Sequence, residues 1–437
     1  RTMAVCTICF HFELAYTRLC MCARRPQDAW ALPLNETFLS QNMQDAGYYT
    51  AQFGKWHLGL YKKNRLPMAR GYNEQYGYYL GGEDYWTHMR SGAVDWHSND
   101  TLRLDQNGSY SADLIGDVMV DFVQRKQSEP WFVYLPWQSV HSPLEAPAEY
   151  LNLYPNLAGS VKTRAAMVSA LDDNIGRVID VLNVTKQLEN IVIVFTSDNG
   201  APYGDAYSDG DDPAMITQMG FSPTKQRPPA GVHGGGGGSN VPLSGWKHWV
   251  FEGGVRSASF IYSPLIPVAR RGTVHHGLFH SVDWLPTLTN LAGGSTTKNL
   301  ELDGFDIWPA LLEGGTASPR TEIPVNIAAC GNASNGAATI VDGPQAAMIV
   351  GDMKVIVQCW WRDTKMADTA QLYNLSSDVA EMHDLSVSQP EDVKRLLARL
   401  DYWEALSVPP YPKDQDNCGQ GKGQGPASNG QMYWDSW

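Results

Sequence analysis

The sequence lacks several things that would each fix a function class. No apolar run approaches the roughly 18 residues that a membrane-spanning helix needs, which predicts no membrane span. Positive charge is scarce: 33 Lys and Arg stand against 46 Asp and Glu, a formal net charge of −13. That balance predicts no nucleic-acid partner and gives no general attraction to anionic surfaces, so an anionic substrate has to be held by local cations. Cysteine is sparse as well, at 7 residues, an odd number that leaves at least one thiol outside any disulfide. Arg1–Phe10 has neither the charged nor the apolar region of a signal peptide.

What is present describes a globular protein. The 437 residues are 43% hydrophobic and 18% charged, enough to bury one large core and a smaller one. Asn-X-Ser/Thr sequons stand at Asn35, Asn99, Asn107, Asn183, Asn332 and Asn374. So many sequons predict a glycoprotein of the secretory pathway, secreted or lysosomal, whose start is processed or truncated.

The apolar run Ile191–Phe195 shows no alternation and reads as a strand buried on both faces, ending in Thr196-Ser-Asp-Asn-Gly200. Strands are also expected at Tyr48–Phe53 and Trp131–Leu135, and within Val250–Tyr262. Helices are expected over Glu36–Ala46, capped by Asn35, over a segment capped by Ser111, and over Val161–Leu182. The last of these should bury Ala165, Val168, Leu171, Ile175, Val178 and Leu182. This alternation predicts an α/β fold: a mixed, mostly parallel sheet sandwiched by helices. Residues 202–240 hold five consecutive glycines, Gly234–Gly238, and read as a disordered insertion. Beyond about residue 315, short runs at Ala346–Val350 and Lys354–Cys359 precede a helix over Glu391–Trp403, the pattern of a smaller subdomain of antiparallel sheet plus helix. The division is therefore 1–315 and 316–437, with a loose tail.

In open α/β sheets ligands gather at the carboxyl ends of strands. Lys55 and His57 follow the first expected strand, His141 the second, Asp198 and Asn199 the third, and Lys247 precedes a fourth. Singly, each could be a surface charge, a core histidine or ordinary Asp-Asn-Gly turn chemistry. Together they offer two ammonium groups, two imidazoles and oxygen ligands for a hard cation. That set suits a tetrahedral ester whose charge grows in the transition state, a sulfate or a phosphate.

At these residues the chain resembles the sulfatase family of the alkaline phosphatase superfamily. Gly47-Tyr-Tyr-Thr-Ala-Gln-Phe-Gly-Lys-Trp-His57 is similar to the family's second signature. Ser197-Asp-Asn-Gly200 resembles its metal-binding turn, and Glu252-Gly-Gly-Val-Arg256, preceded by Lys247, its substrate-lysine segment. Asp283-Trp-Leu-Pro-Thr287, Leu302-Asp-Gly-Phe-Asp306 and Leu372-Tyr-Asn-Leu375 agree too. Gly81-Gly-Glu-Asp-Tyr-Trp-Thr-His88 and His141-Ser-Pro-Leu-Glu-Ala-Pro147 are most similar to the arylsulfatase B branch, which acts on sulfated glycosaminoglycans.

The resemblance implies a sulfuric ester hydrolase acting on sulfated carbohydrate or aryl sulfate. Asp198 and Asn199 would bind Ca2+, while Lys55, His141 and Lys247 would hold the sulfate or protonate the leaving group. His57 would assist turnover of the nucleophile. That nucleophile is a formylglycine made from cysteine by the formylglycine-generating enzyme, whose hydrated aldehyde attacks sulfur.

The chain departs from this pattern before residue 33. The strand carrying paired metal-binding aspartates is expected to be missing. Cys6 is the best-placed candidate for the family's Cys-X-Pro-X-Arg nucleophile, but Ile8 replaces Pro and Phe10 replaces Arg. Residues 8–32 look unlike the family, a pattern that an altered reading frame or exon boundary would produce and that resequencing the transcript tests. Cys6, Cys9, Cys20 and Cys22 admit a rival reading as a zinc site. Two further functions stay open, a non-catalytic homologue that binds sulfated glycans and a phosphoesterase of the same superfamily.

Overall fold

Strand Trp131–Pro136 sends alternate side chains to opposite faces of one sheet, and both faces are covered. Trp131, Val133 and Leu135 join Ile191 and Ile193 in a core closed by helical residues Ile115, Met119, Phe122, Val178 and Leu182. On the other face Phe132 meets Val192, Val194, Met43 and Leu288. Burying both faces of a parallel sheet is what the unalternating apolar runs require. In the computed structural model the described residues are 4–9, 31–202, 237–247, 249–315, 317–327, 345–358, 370–407, 424–426 and 432–434. The expected insertion at 202–240 lies almost wholly outside them.

The main sheet contains β1 (Ala4–Cys9), β2 (Tyr49–Lys55), β3 (Glu74–Tyr78), β6 (His97–Ser98), β7 (Thr101–Leu102), β8 (Trp131–Pro136), β9 (Ile191–Thr196) and β10 (Ser259–Tyr262). The hairpin β4 (Met89–Arg90) and β5 (Ala93–Val94) lies between β3 and β6 in the chain. The strand order is β10-β9-β1-β8-β2-β3-β6-β7. Strands β9, β1, β8, β2 and β3 are mutually parallel, and antiparallel strands close both edges. The carboxyl ends of the parallel strands therefore lie along one edge.

Helices α1 (Leu39–Asp45), α2 (Ser111–Arg125), α3 (Ala148–Asn152) and α4 (Gly159–Val184) connect these strands. After them come α5 (Glu252–Val255), α6 (Trp284–Leu291) and α7 (Trp308–Glu313). A second sheet, β11 (Glu322–Ile327), β12 (Gln345–Val350), β13 (Met353–Gln358) and β14 (Ala370–Asn374), is antiparallel throughout. Helix α8 (Pro390–Ala405) packs Val393, Leu396 and Leu400 on one face of it. This is the mixed α/β architecture with a smaller antiparallel subdomain that the sequence implied.

Several expectations need correction. A strand without any aspartate, β1, fills the centre of the sheet, with Cys9 level with Pro136 on one side and Thr196 on the other. The run Ala4-Val-Cys-Thr-Ile-Cys9 is apolar and β-branched enough for a doubly covered position. Helix α1 starts at Leu39, because the Gln41 side chain accepts the Phe38 N–H at 2.9 Å and Glu36 is held in a turn by the Pro33 carbonyl. Ser111 lies inside the first turn of α2, whose N-cap is Tyr110. In α4 the buried stripe is Met167, Ala170, Leu171, Asn174, Val178 and Leu182, while Val168 faces solvent. Polar Asn174 is tolerated there because it donates to Asp113 at 2.8 Å and to the Ala170 carbonyl at 2.9 Å. The tail is not wholly loose either: β15 (Gln424–Pro426) pairs with β16 (Met432–Trp434), where Tyr433 is level with Val94 of β5.

Candidate active site

Lys55 is the last residue of β2 and is 5% exposed. Past it the pairing with β3 continues, as Trp56 N–H donates to the Tyr78 carbonyl and His57 N–H to the Tyr79 carbonyl, both at 2.9 Å. His57 then turns the chain with a φ of 54°, a left-handed conformation unusual for a residue with a side chain. A Cβ on Gly81 would stand 2.8 Å from the His57 ring, and one on Gly82 would stand 3.3 Å from His141 Nδ1. The glycine pair thus admits both imidazoles side by side. The same loop is fixed from behind by buried Asp95, whose carboxylate accepts the Tyr79 and Leu80 N–H groups.

His141 follows β8. Its Nδ1 lies 2.7 Å from the Ser142 carbonyl, so Nδ1 carries the proton and Nε2 is the atom at which the ring gains or loses one. Tyr85 Oη donates to the His141 carbonyl at 3.0 Å, fixing the backbone. Burial, then the charges of Lys55, His141, Lys247 and Arg90, push the His57 imidazole well below its ordinary range. His141 is lowered in the same way by burial and then by Lys55 and Lys247, with Arg90 adding a smaller push. Both rings are neutral near pH 7 because of their burial and, after that, because cations crowd them. Arg90 of β4 is a member of this group that the sequence reading missed. Only its place two residues beyond the Gly81–His88 motif could have pointed to it.

Asp198 and Asn199 leave the end of β9 in a turn where Asp198 Oδ1 accepts the Asn199 N–H at 2.7 Å. Asn199 Nδ2 donates to the Gly200 carbonyl at 2.8 Å, which turns its Oδ1 away from that carbonyl. Gly200 is required, because a Cβ there would lie 1.6 Å from the Gly253 carbonyl oxygen. Gly200 N–H donates to the Gly254 carbonyl, and Lys247 N–H to the Ala201 carbonyl, both at 3.0 Å. Asn240 ties the two segments together by accepting from Ala201 N–H and donating to the Ala201 and Gly245 carbonyls. The turn after β9 and the Lys247 segment are therefore one unit.

The geometry thus gathers Lys55, His57, His141 and Lys247, adds Arg90, and joins Asp198 and Asn199 through the backbone of Lys247. Cys6 stands apart. It is level with Val133 and Ile193, three residues before the carboxyl edge, or about 10 Å at the usual rise of a strand. Calcium takes about 6–8 oxygen ligands, and the turn supplies one carboxylate and one amide oxygen. Strand β1 carries no acidic residue, and no group of three or more His, Cys, Asp or Glu able to hold a metal occurs among the described residues. The described donors would therefore supply only part of a calcium shell.

The carboxyl edge of this α/β sheet thus carries cations and a pair of imidazoles, where ligands of such sheets gather. Comparison with known proteins gives the family: residues 15–295 match the Sulfatase family model, and the chain belongs to that family. It is 32% identical to Arylsulfatase J of Mus musculus over 428 residues, covering 89% of this chain and 66% of that relative. It is 28% identical to N-acetylgalactosamine-6-sulfatase of Sus scrofa over 319 residues, covering 70% of this chain and 52% of the relative. The chain thus spans between half and two thirds of these relatives' length. Among solved structures the fold is shared with Ps i-CgsB in complex with k-i-k-neocarrahexaose, at TM-score 0.72 and 23% identity over 92% of this chain and 82% of that one. It is shared also with PsFucS1 sulfatase from Pseudoalteromonas sp., at TM-score 0.60 and 19% identity over 95% of this chain and 84% of that one. No described helix is long and apolar enough to cross a membrane.

Proposed function

We propose that this protein binds and hydrolyses sulfate esters, with sulfated carbohydrate, such as an N-acetylgalactosamine 4-sulfate, or an aryl sulfate as substrate. The observation that carries this reading is the crowding of Lys55, Lys247 and Arg90 around two neutral imidazoles in a chain of net charge −13. An anion entering that pocket neutralises the cations' repulsion of the rings. Each imidazole then gains a proton more readily with the ester bound than without it. Lys55 and Lys247 bind the sulfate oxygens and offset the charge that grows on them as the S–O bond breaks. His141, through Nε2, protonates the departing alkoxide or phenoxide. His57 moves the proton of the attacking group.

Asp198 and Asn199 would hold part of a calcium shell, and the ion would supply a fixed positive charge to the sulfate site. The nucleophile remains the family's formylglycine, with Cys6 as the candidate for conversion by the formylglycine-generating enzyme. Passage through the secretory pathway to a secreted or lysosomal location accords with the exposed sequon residues Asn35, Asn99, Asn107 and Asn183.

The mid-strand register of Cys6 favours a second reading, a homologue that binds sulfated glycans without turning them over. Two measurements separate the readings. The parent chain should hydrolyse an aromatic sulfate ester and lose that activity on calcium chelation. Mass spectrometry of the peptide containing Cys6 should show the aldehyde. An intact thiol combined with undiminished binding of a sulfated disaccharide would leave the binding reading standing and remove the catalytic one.

A further inference from the structure

The smaller subdomain meets the segment that carries Lys247, and it does so with buried charge. Lys354 of β13 is 0% exposed, and its Nζ lies 2.9 Å from Glu252 Oε1 and 2.8 Å from Glu381 Oε1, both carboxylates also being buried. Glu381 Oε2 in turn accepts the Glu252 N–H at 2.8 Å, and Glu381 holds a φ of 56°. The second carboxylate oxygen of Glu252 accepts from Arg256 Nε at 2.6 Å. Beside this triad, Ser244 Oγ donates to the Ala380 carbonyl at 2.6 Å, and the Ser244 carbonyl accepts the Gly253 N–H at 2.7 Å. Trp249, Val250 and Phe251 pack on Ala347, Ile356 and Tyr373 of the second sheet.

Buried charges of this kind add little net stability over an apolar filling, but they fix geometry because each partner has one satisfactory place. From Lys354 the path to the candidate metal turn is short. Lys354 holds Glu252, two residues later the Gly254 carbonyl holds Gly200 N–H, and the Ala201 carbonyl holds the backbone of Lys247. Gly200 and Gly253 approach so closely that a shift of α5 has to move the turn with it.

We propose that the second sheet is a positioning clamp for the site, with Lys354 as its positioning residue, acting through Glu252 and Glu381 on the Asp198–Gly200 turn and on Lys247. This rests on the sulfate-ester reading for its activity arm only. The test compares the parent chain with Lys354→Met, Lys354→Arg and the milder Ser244→Ala. Hydrogen exchange should be at least about tenfold faster in 197–201 and 244–256 for Lys354→Met and Ser244→Ala, with β2 and β8 unchanged. Lys354→Arg, which keeps the charge, should recover much of the protection.

Activity on an aromatic sulfate ester should fall at least about tenfold in kcat for Lys354→Met and partly return in Lys354→Arg. Uniformly faster exchange across both sheets, or unchanged exchange at 197–201 in both Ser244→Ala and Lys354→Met, would overturn the clamp. If Lys354→Met does not fold, Ser244→Ala decides alone. An inactive parent whose variants still show the localised exchange would overturn the catalytic reading and leave the clamp.

Discussion

Lys247 shows most directly what a single side chain does in this molecule. Its backbone is pinned to the turn after β9, and its charge reaches both imidazoles across the pocket. Replacing Lys247 by Ala should therefore lower kcat/KM for an aromatic sulfate ester at least about a hundredfold, the usual effect of removing a preorganised charge from a transition state. Steady-state kinetics check this, and an unchanged rate would take Lys247 out of the site. The residues that sequence reading proposed were those with chemical identity beside a strong strand signal: Lys55, His57, His141, Asp198 and Asn199 after one, and Lys247 before one. Arg90 escaped it because β4 and β5 are two residues each, too short for any periodicity to register. The positioning roles of Gly81 and Gly82 escaped for another reason, since a glycine's use is visible only once the ring that fills its space has been located.

At the scale of elements, periodicity decided what was legible. The strands β8 and β9 and the helices α2, α4 and α8 declare themselves through long apolar patterns. Their ends do not, because the deciding contact is remote in sequence or belongs to one side chain, as with Gln41 at the start of α1. The segment around Asp283 illustrates the remote kind. Asp283 accepts from Arg320 Nε at 2.9 Å and from Arg320 Nη2, with both residues buried, and also accepts the His280 and Phe305 N–H groups. One carboxylate thus joins α6, the loop before α7 and the approach to β11. Asp283→Ala should cost about 3–5 kcal/mol of stability, because Arg320 is left buried without its counter-charge. Urea unfolding of the variant measures this, and a loss under about 1 kcal/mol would mean that water reaches the guanidinium.

At the scale of the whole molecule, three histidines contribute to the response to acid. His57 and His141 are held well below the ordinary range, and His280 is pushed down to about 4 by burial and then by the Arg320 charge. The sign follows from proton linkage. Unfolded histidines take up protons below about pH 6.5 while the native rings stay neutral, so stability falls as pH drops from about 6.5 toward the folded values. For His280 that window ends near about pH 4. Tm should therefore decline steadily below about pH 6.5. Inorganic sulfate should recover part of the loss, since an anion in the pocket raises the folded values of His57 and His141 but not that of His280. Calorimetry across pH, with and without sulfate, checks both statements. A sulfate effect of equal size in His57→Gln/His141→Gln would place the anion elsewhere.

The position of β1 has a consequence for how the chain is made. Ala4–Cys9 is synthesised well before both neighbours between which it slots, β8 and β9. Until then the two halves of the sheet each present a bare seam of unpaired amides and carbonyls, the surface along which nascent polypeptides stick to one another. β1 can be enclosed on both sides only once β8 and β9, far along the chain, have been made.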